Sequence, residues 1–309
     1  NVEAVMLERI RKEYGPLRVA IVDTDCHHGD GTQDIYWNDK ETLFISFHQD
    51  GRTLYPGTGF LDEFGGPAAY GYNVNIPLPP GTGEEGFLYV LDNVVMPILK
   101  EYKPDIIINS AGQDNHYTDP ITNMNFTAQG YAKLNDRLNP DIAVLEGGYS
   151  IEGALPYINL GIILAMAGID YSHVHESDYD KDRLKQPKDI TEYIKQVSEI
   201  VYNRWKDKDN LRLKEFKGYD QVERTRQIYY DTDRILEDQS QNFKICKKCS
   251  GLNTIKSQSG EGYRILAIQI PVDACSNCID EGYNLYKNPK GSYTHIYLQD
   301  RVNDVYRAK

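Results

Sequence analysis

Short apolar runs alternate with stretches of helical periodicity along the first 169 residues. The run at 18–24, RVAIVDT, is largely apolar, which is typical of a strand buried on both faces of a parallel sheet. Strands that alternate with helices favour an α/β fold, a parallel sheet with helices on both faces. The predicted strands are 18–24, 43–47, 104–109 and 141–145, and the predicted helices are 2–14, 84–102, 127–138 and 152–167.

The pattern changes near residue 170. Residues 171–210 are dense in Asp, Glu, Lys and Tyr, and their apolar positions recur at helical spacing. This predicts a charged helical connector over 170–240, after an α/β domain at 1–169 and before a small domain at 241–309. The last segment holds ten Lys and Arg against six Asp and Glu, whereas the whole chain has a net charge of −12. The acidic balance argues against a protein that coats nucleic acid and permits a cationic substrate.

Composition places the chain among ordinary globular proteins, with 40% hydrophobic and 26% charged residues in 309. No run approaches the ~18 apolar residues of a membrane-spanning helix. The first eleven residues lack the apolar core of a secretory signal peptide. We therefore expect an intracellular, cytoplasmic protein without a membrane partner. Because residue 1 is Asn, we also expect the chain to be processed or to be part of a longer protein.

Three polar loops each follow a predicted strand, at 23–32, 110–114 and 146–149. The carboxyl ends of parallel strands meet at one edge of a sheet, so these loops should lie together. Asp25, His27 and Asp114 would give a zinc ion oxygen and nitrogen ligands and leave a fourth position open, as in catalytic zinc sites. A lone Asp-x-His would instead fit turn-capping carboxylates beside a core histidine. Five glycines that permit close backbone approach favour the metal site: Gly29, Gly31, Gly112, Gly147 and Gly148.

Five ordered motifs within residues 1–169 resemble the histone deacetylase family, in particular its class II and bacterial branch, which has the arginase/deacetylase fold. The resemblance implies a hydrolase that removes an acetyl group from an N-acetylated lysine or polyamine. The motifs are DCHHGDGTQ at 25–33, ISFHQ at 45–49, YPGTG at 55–59, SAGQD at 110–114 with Asp119-Pro120 behind it, and EGGY at 146–149.

The resemblance implies a role for each matching residue. Asp25, His27 and Asp114 would bind the catalytic zinc, and Tyr149 would stabilise the oxyanion while water attacks the amide. Asp23 and Asp30 match carboxylates that orient a tandem histidine pair serving as general base and acid. The substrate chain would contact Tyr55 and Gly148. An inner monovalent cation site, usually potassium, would use Asp23, Asp25, His27, Ser46 and Phe47, and an outer one Tyr36, Asp39, Thr42 and Tyr72.

The tandem histidine pair itself lies upstream of the family region that this chain matches, and the only His-His here is His27-His28. Two alternatives follow: a portion of a longer deacetylase, or a catalytically incomplete binding module that recruits a partner. We expect little deacetylase activity from the 309 residues alone. His28 and His48 should pack or hydrogen-bond locally, and His116 has no clear task. A manganese hydrolase like the arginase relatives fits the Asp-His-Asp set less well.

Two Cys-x-x-Cys pairs, Cys246/Cys249 and Cys275/Cys278, are separated by 25 residues. This layout is typical of a zinc ribbon, in which four thiolates form a closed structural site. A redox-active Cys-x-x-Cys is the weaker alternative. Strands are predicted at 263–270 and 293–298. Lysines beside the first pair, at 244, 247 and 248, indicate a protein or nucleic-acid contact without deciding between them.

Overall fold

The computed structural model describes residues 1–180, 184–230 and 232–309. The chain divides into two compact units. The first comprises residues 1–65 and 70–211, and the second comprises 66–69 and 212–309.

The first unit is built on a five-stranded parallel sheet. Its strand order is β3-β2-β1-β4-β5, so the first strand in sequence lies at the centre. Every residue of β1 and β2 is buried, as expected for strands covered on both faces. The predicted parallel α/β fold is confirmed. The strands are β1 (Val19–Asp23), β2 (Thr42–Gln49), β3 (Asn73–Leu78), β4 (Ile106–Ala111) and β5 (Ile142–Leu145).

Helices cover both faces of this sheet. Alternate residues of β1 point to opposite sides: Val19 and Ile21 pack in one apolar cluster, and Ala20 and Val22 in another. The helix predicted at 84–102 is present without a gap. Its middle part, Leu91–Val95, is π-helical and separates two α-helical segments. The helices are α1 (Val2–Tyr14), α2 (Asp30–Tyr36), α3 (Glu84–Val90), α4 (Met96–Tyr102), α5 (Ala128–Leu138), α6 (Leu155–Met166), α7 (Lys188–Lys206) and α8 (Lys208–Glu215).

The second unit contains a six-stranded mixed sheet in the order β11-β10-β9-β8-β7-β6. Helix α9 packs on the face formed by Leu266, Ile268 and Ile270. The strands predicted at 263–270 and 293–298 correspond to β9 and β10. The elements are β6 (Gln221–Tyr230), β7 (Ile235–Lys244), β8 (Leu252–Ser259), β9 (Arg264–Ile270), α9 (Ser276–Lys287), β10 (His295–Asp300) and β11 (Val305–Ala308).

The helical connector predicted over 170–240 is wrong for its last part. Residues 188–215 form α7 and α8, but 221–230 and 235–244 form the antiparallel hairpin of β6 and β7. Exposed and partly buried residues alternate along β6, which is the period of a strand with one solvated face. The helical spacing that supported the connector came only from residues before 210. The division into domains at 170 and 240 stays a prediction.

Within the described ranges, no helix combines the length and the apolar character needed to cross a membrane.

Candidate active site

The ends of three neighbouring strands bring the polar loops together. In the sheet, Asp23 at the end of β1 pairs with Ser110 of β4, and Ala111 of β4 pairs with Leu145 of β5. The loops after these strands therefore leave the sheet side by side. They carry Asp25, His27, Asp114 and Tyr149.

The structure brings Asp25, His27 and Asp114 into one cluster whose ligand atoms all lie within 4.8 Å of one another. The Nδ1 atom of His27 lies 2.7 Å from Oδ2 of Asp114 and 3.2 Å from Oδ1 of Asp25. The loop backbone fixes both carboxylates. Asp25 accepts hydrogen bonds from the N–H groups of His27 and Gly147, and Asp114 accepts one from Cys26, each at 2.8 Å.

Two glycines leave room for these carboxylates. A Cβ atom on Gly147 would lie 2.6 Å from Oδ2 of Asp114 and 2.7 Å from Oδ2 of Asp25, closer than real Cβ contacts allow. A Cβ atom on Gly112 would collide with Asp25. The cluster therefore needs glycine at both positions, which the sequence pattern had indicated for this edge of the sheet.

The two carboxylates and the imidazole of the cluster shift each other's pKa values. Burial opposes protonation of His27, but hydrogen bonds and charges from Asp114 and Asp25 outweigh it and raise its pKa to about 10. Burial raises the pKa of Asp114 to about 6 despite the hydrogen bond with His27. The oxygen and nitrogen atoms thus converge on a position that favours positive charge, such as that of a divalent cation.

Tyr149 stands beside this cluster. Its ring lies 6.3 Å from the His27 ring, edge to face at 88°, and the residue is 47% exposed. Its backbone N–H donates to Oδ2 of Asp119 at 2.9 Å. Burial and the charges of Asp114 and Asp25 raise the pKa of the phenol, so the hydroxyl is a hydrogen-bond donor at neutral pH.

A cavity of about 730 Å³ opens onto the cluster and is lined by His27, Tyr149 and Tyr55, among others. Besides Asp25, three carboxylates line it, here called the acidic wall: Glu3, Asp23 and Glu146. The pKa of Glu146 is raised to about 7, first by burial and then by Glu3 and Asp25. Burial likewise raises the pKa of Asp23 well above its ordinary value, with Asp25 adding to the shift.

Glu3 and Glu146 were missed as wall residues. Glu3 is buried in α1 and accepts a hydrogen bond from Ser110 at 2.5 Å, and a glutamate in an amphipathic helix gave no signal in the sequence. Three residues predicted for the zinc, catalytic and substrate-binding site do not line this cavity. Asp114 is fully buried. Asp30 begins α2, and Gly148 packs near Leu155 and Gln113.

The residues of the two monovalent cation sites differ in their surroundings. At the inner site, Asp23 and Ser46 are register partners in the sheet, and Phe47 is buried. At the outer site, the Arg11 guanidinium donates to Asp39 at 3.1 Å and to Thr42 at 2.8 Å. The side chains of two of the four outer residues are thus already engaged with Arg11, and a cation site there stays a prediction. Its other members are Tyr36, which is buried, and Tyr72, which packs against Tyr102 and Trp205.

The remaining core histidines are engaged locally, as predicted for His28 and His48. His28 contacts Thr58 and Gln33 through its two ring nitrogens. His48 contacts Ser46 and the carbonyl of Gly59. His116 lies away from the cavity lining, hydrogen-bonded to Glu176 at 2.5 Å.

The four paired cysteines form a separate cluster in the second unit. The Sγ atoms of Cys246 and Cys275 are 3.9 Å apart, and those of Cys249 and Cys278 are 3.6 Å apart. These separations match the edge of about 3.8 Å expected for a tetrahedron with zinc–sulfur bonds of about 2.3 Å. A backbone N–H of Lys248 lowers the pKa of Cys246 to about 7.

Residues 1–159 match the protein family described as "Histone deacetylase domain". The chain is 48% identical over 221 residues to a probable deacetylase of Archaeoglobus fulgidus, covering 67% of this chain and 61% of the relative. It is 34% identical over 221 residues to the acetoin utilization protein AcuC of Bacillus subtilis, covering 68% and 54%.

Two solved structures are similar to this one. The crystal structure of the HDA15 HD domain has a TM-score of 0.56 and 28% identity, with 67% of this chain and 57% of that chain covered. The acetylpolyamine aminohydrolase from Burkholderia pseudomallei has a TM-score of 0.51 and 33% identity, with 55% and 50% covered. The chain thus spans about half to three fifths of the length of these four proteins.

Proposed function

Because the chain belongs to the histone deacetylase domain family, we propose that its protein is a zinc-dependent hydrolase that removes an acetyl group from an N-acetylated lysine or polyamine. The observation that carries this proposal is the convergence of Asp25, His27 and Asp114 beside Tyr149. Asp25, His27 and Tyr149 line one cavity. The four side chains come from three loops that only the parallel sheet brings together.

The donor set fits zinc. Two carboxylates and one imidazole are three protein ligands of the kind found in catalytic zinc sites, which keep a further position open. When bound, zinc would act as a Lewis acid toward the amide carbonyl and the attacking water. The glycines at 112 and 147 leave the space that the carboxylates occupy.

Tyr149 donates a hydrogen bond from its hydroxyl to the carbonyl oxygen of the substrate as negative charge develops there. The raised pKa of the phenol keeps the proton available, and Asp119 fixes the backbone of the residue. Such a preorganised donor stabilises the transition state more than the ground state.

The acidic wall supports an amine-bearing substrate. Hydrolysis of an N-acetylated amine releases an ammonium group, and the carboxylates of Glu3 and Glu146 line the same cavity. Tyr55, 80% exposed at the cavity, would contact the chain that carries the amide. A neutral ester or a phosphorylated substrate would gain nothing from this wall.

Acid–base work needs a histidine that is not otherwise engaged. Among the described residues, the histidines that line the cavity are His27 and His28, and hydrogen bonds hold both. We place Asp23 and Asp30 as orienting carboxylates for acid–base histidines that the whole protein must supply. The activity is therefore proposed for the whole protein.

The test is turnover by the zinc-loaded full-length gene product on an acetyl-lysine peptide and on N-acetylputrescine. We expect acetate release that Asp114→Asn abolishes and that Tyr14→Phe, a change at an exposed tyrosine of α1, leaves intact. A protein that binds zinc and a hydroxamate inhibitor but releases no acetate from either substrate would be the binding module instead. A protein that binds neither would contradict the site itself.

Two further metal assignments belong to this proposal. Cys246, Cys249, Cys275 and Cys278 hold a structural zinc ion, supported by sulfur separations that suit a tetrahedron. Potassium binds at the inner site that includes Asp23, Ser46 and Phe47, supported by the register of β1 and β2. Turnover in potassium chloride against tetramethylammonium chloride tests the second assignment, and equal rates would contradict it.

A further inference from the structure

A line of hydrogen-bonded side chains leads from Glu176 to the residue that follows Tyr149. Oε1 of Glu176 lies 2.5 Å from Nε2 of His116, and Nδ1 of His116 lies 2.9 Å from Oγ1 of Thr118. Oγ1 of Thr118 lies 2.7 Å from Oγ of Ser150. The line connects the segment after α6 with the loop that carries Tyr149.

Glu176 is a fixed anchor for this line. Its side chain and that of His116 are both fully buried. The same Oε1 atom accepts a hydrogen bond from the N–H of Ala128, the first residue of α5, at 2.5 Å. The amino end of a helix favours a negative charge. The contacts with His116 and with the start of α5 therefore both hold the carboxylate in place.

The hydrogen bonds define one direction along the line. Because Glu176 is an acceptor, Nε2 of His116 carries a hydrogen and donates it to Oε1. Nδ1 is an acceptor, and it faces the backbone N–H of Thr118 at 3.2 Å as well as the Thr118 hydroxyl. The Thr118 hydroxyl donates to His116 and accepts from Ser150, which leaves every donor on the line with an acceptor.

The line ends at Ser150, the residue that follows Tyr149. The loop of residues 114–119 holds Tyr149 on both sides: Asp119 accepts from its backbone N–H, and Thr118 holds the side chain of Ser150. The carbonyl of Ser150 in turn accepts from the N–H groups of Ala154 and Leu155 at the start of α6. The 114–119 loop also contributes Asp114 to the metal cluster.

We propose that Glu176 and His116 are positioning residues that hold the Tyr149 loop in register with Asp114. Glu176 lies beyond the 1–159 segment that matches the family. The role in catalysis rests on the proposed function, but the positioning itself does not. The competing explanation is that Glu176 only caps α5 and that the contacts at Thr118 and Ser150 are incidental.

Hydrogen–deuterium exchange of the full chain separates these explanations. Glu176→Leu keeps the bulk and removes the acceptor, whereas Glu176→Gln keeps a carbonyl oxygen that can accept from His116. We expect amides in 146–154 to exchange about three- to tenfold faster in Glu176→Leu, as for the loss of one net hydrogen bond, and Glu176→Gln to restore the slow rate. Faster exchange confined to 127–132 would show a cap alone and overturn the proposal.

Variants at the other end cover the case in which Glu176→Leu fails to fold. Thr118→Val and Ser150→Ala should each accelerate exchange in 146–154, and combining them should add little, because both break one contact. Asp178→Asn is the matched control, since Asp178 is an exposed acceptor for Tyr117 outside the line. Unchanged exchange at 146–154 in both variants would also overturn the proposal.

Turnover supplies a readout that depends on the proposed function. In an active protein, Thr118→Val should lower kcat with little change in KM or zinc content, because the tyrosine and not the metal is misplaced. A lowered zinc content with unchanged kcat per bound zinc would contradict that role. Absence of acetate release by the unaltered protein would instead count against the proposed function and leave the exchange result standing.

Discussion

Nδ1 of His27 lies 2.7 Å from Oδ2 of Asp114, although the two residues are 87 positions apart in the sequence. The pair exists because β1 and β4 are neighbours in a parallel sheet and both loops leave from the same edge. Any change that separates these loops should weaken metal binding before it unfolds the protein.

Gly147→Ala should lower zinc binding at Asp25, His27 and Asp114. The added Cβ atom would meet the carboxylate oxygens of Asp25 and Asp114, so at least one of them has to move. Gly31→Ala is the control, since nothing lies within 4 Å of a Cβ atom there. It should stabilise α2 by roughly 0.5–1 kcal/mol. Equal zinc content in the two variants by plasma mass spectrometry would contradict the steric argument.

Tyr149→Phe should keep both zinc ions and lose turnover. Removing one donor to a developing oxyanion typically costs about 10² to 10³ in kcat. Steady-state kinetics with an acetyl-lysine peptide measure the loss, and Tyr14→Phe supplies a control at an exposed tyrosine. Full activity in Tyr149→Phe would remove the hydroxyl from the mechanism.

Replacing Cys246 and Cys275 by Ser should remove one zinc equivalent and destabilise the second unit. The apolar cluster of that unit is small, with nine buried residues, and a bound structural zinc contributes folding free energy directly. Cys26→Ser is the control, because Cys26 is buried in the first unit and is not one of the four clustered cysteines. Thermal unfolding with and without a chelator would show the loss, and unchanged melting would refute the structural role.

Acid should selectively remove the stabilisation that Glu176 supplies. Burial disfavours its charged form, but hydrogen bonds from His116 and Ala128 outweigh burial and hold the pKa below the ordinary 4.5. A group with a lowered folded pKa stabilises the protein above its unfolded pKa and loses that contribution as the pH falls through the folded value. The urea midpoint of the unaltered protein should therefore approach that of Glu176→Gln below pH 4.5. A difference that stays constant down to pH 3 would contradict this.

The sequence predicted the central sheet well because its signal is local. A largely apolar run such as the one at 18–24 is typical of a strand covered on both faces, and β1 is buried at every residue. By contrast, β3 has the sequence NVNIPL, in which asparagines and a proline hide a buried strand. The hairpin of β6 and β7 was missed because its polar residues gave a charge pattern instead of an apolar run.

Only the site residues that belong to sequence motifs could be predicted. Asp25, His27 and Asp114 could be grouped because each follows a predicted strand. Glu3 and Glu176 could not, because one lies on a helix and the other in a segment without regular structure. Their importance comes from distant contacts with Ser110 and His116, and no spacing rule connects residues 107 or 60 positions apart.

Arg11 places a fixed positive charge at the start of β2, beside Thr42. Its guanidinium, bonded to Asp39, Thr42 and the carbonyls of Leu17 and Glu41, is covalently attached and cannot exchange with the medium. The positive charge that Arg11 contributes does not depend on the concentration or identity of the surrounding salt, and because Arg stays protonated across the accessible pH range it does not depend on pH either. The start of β2 is thereby held by a charge that belongs to the chain itself.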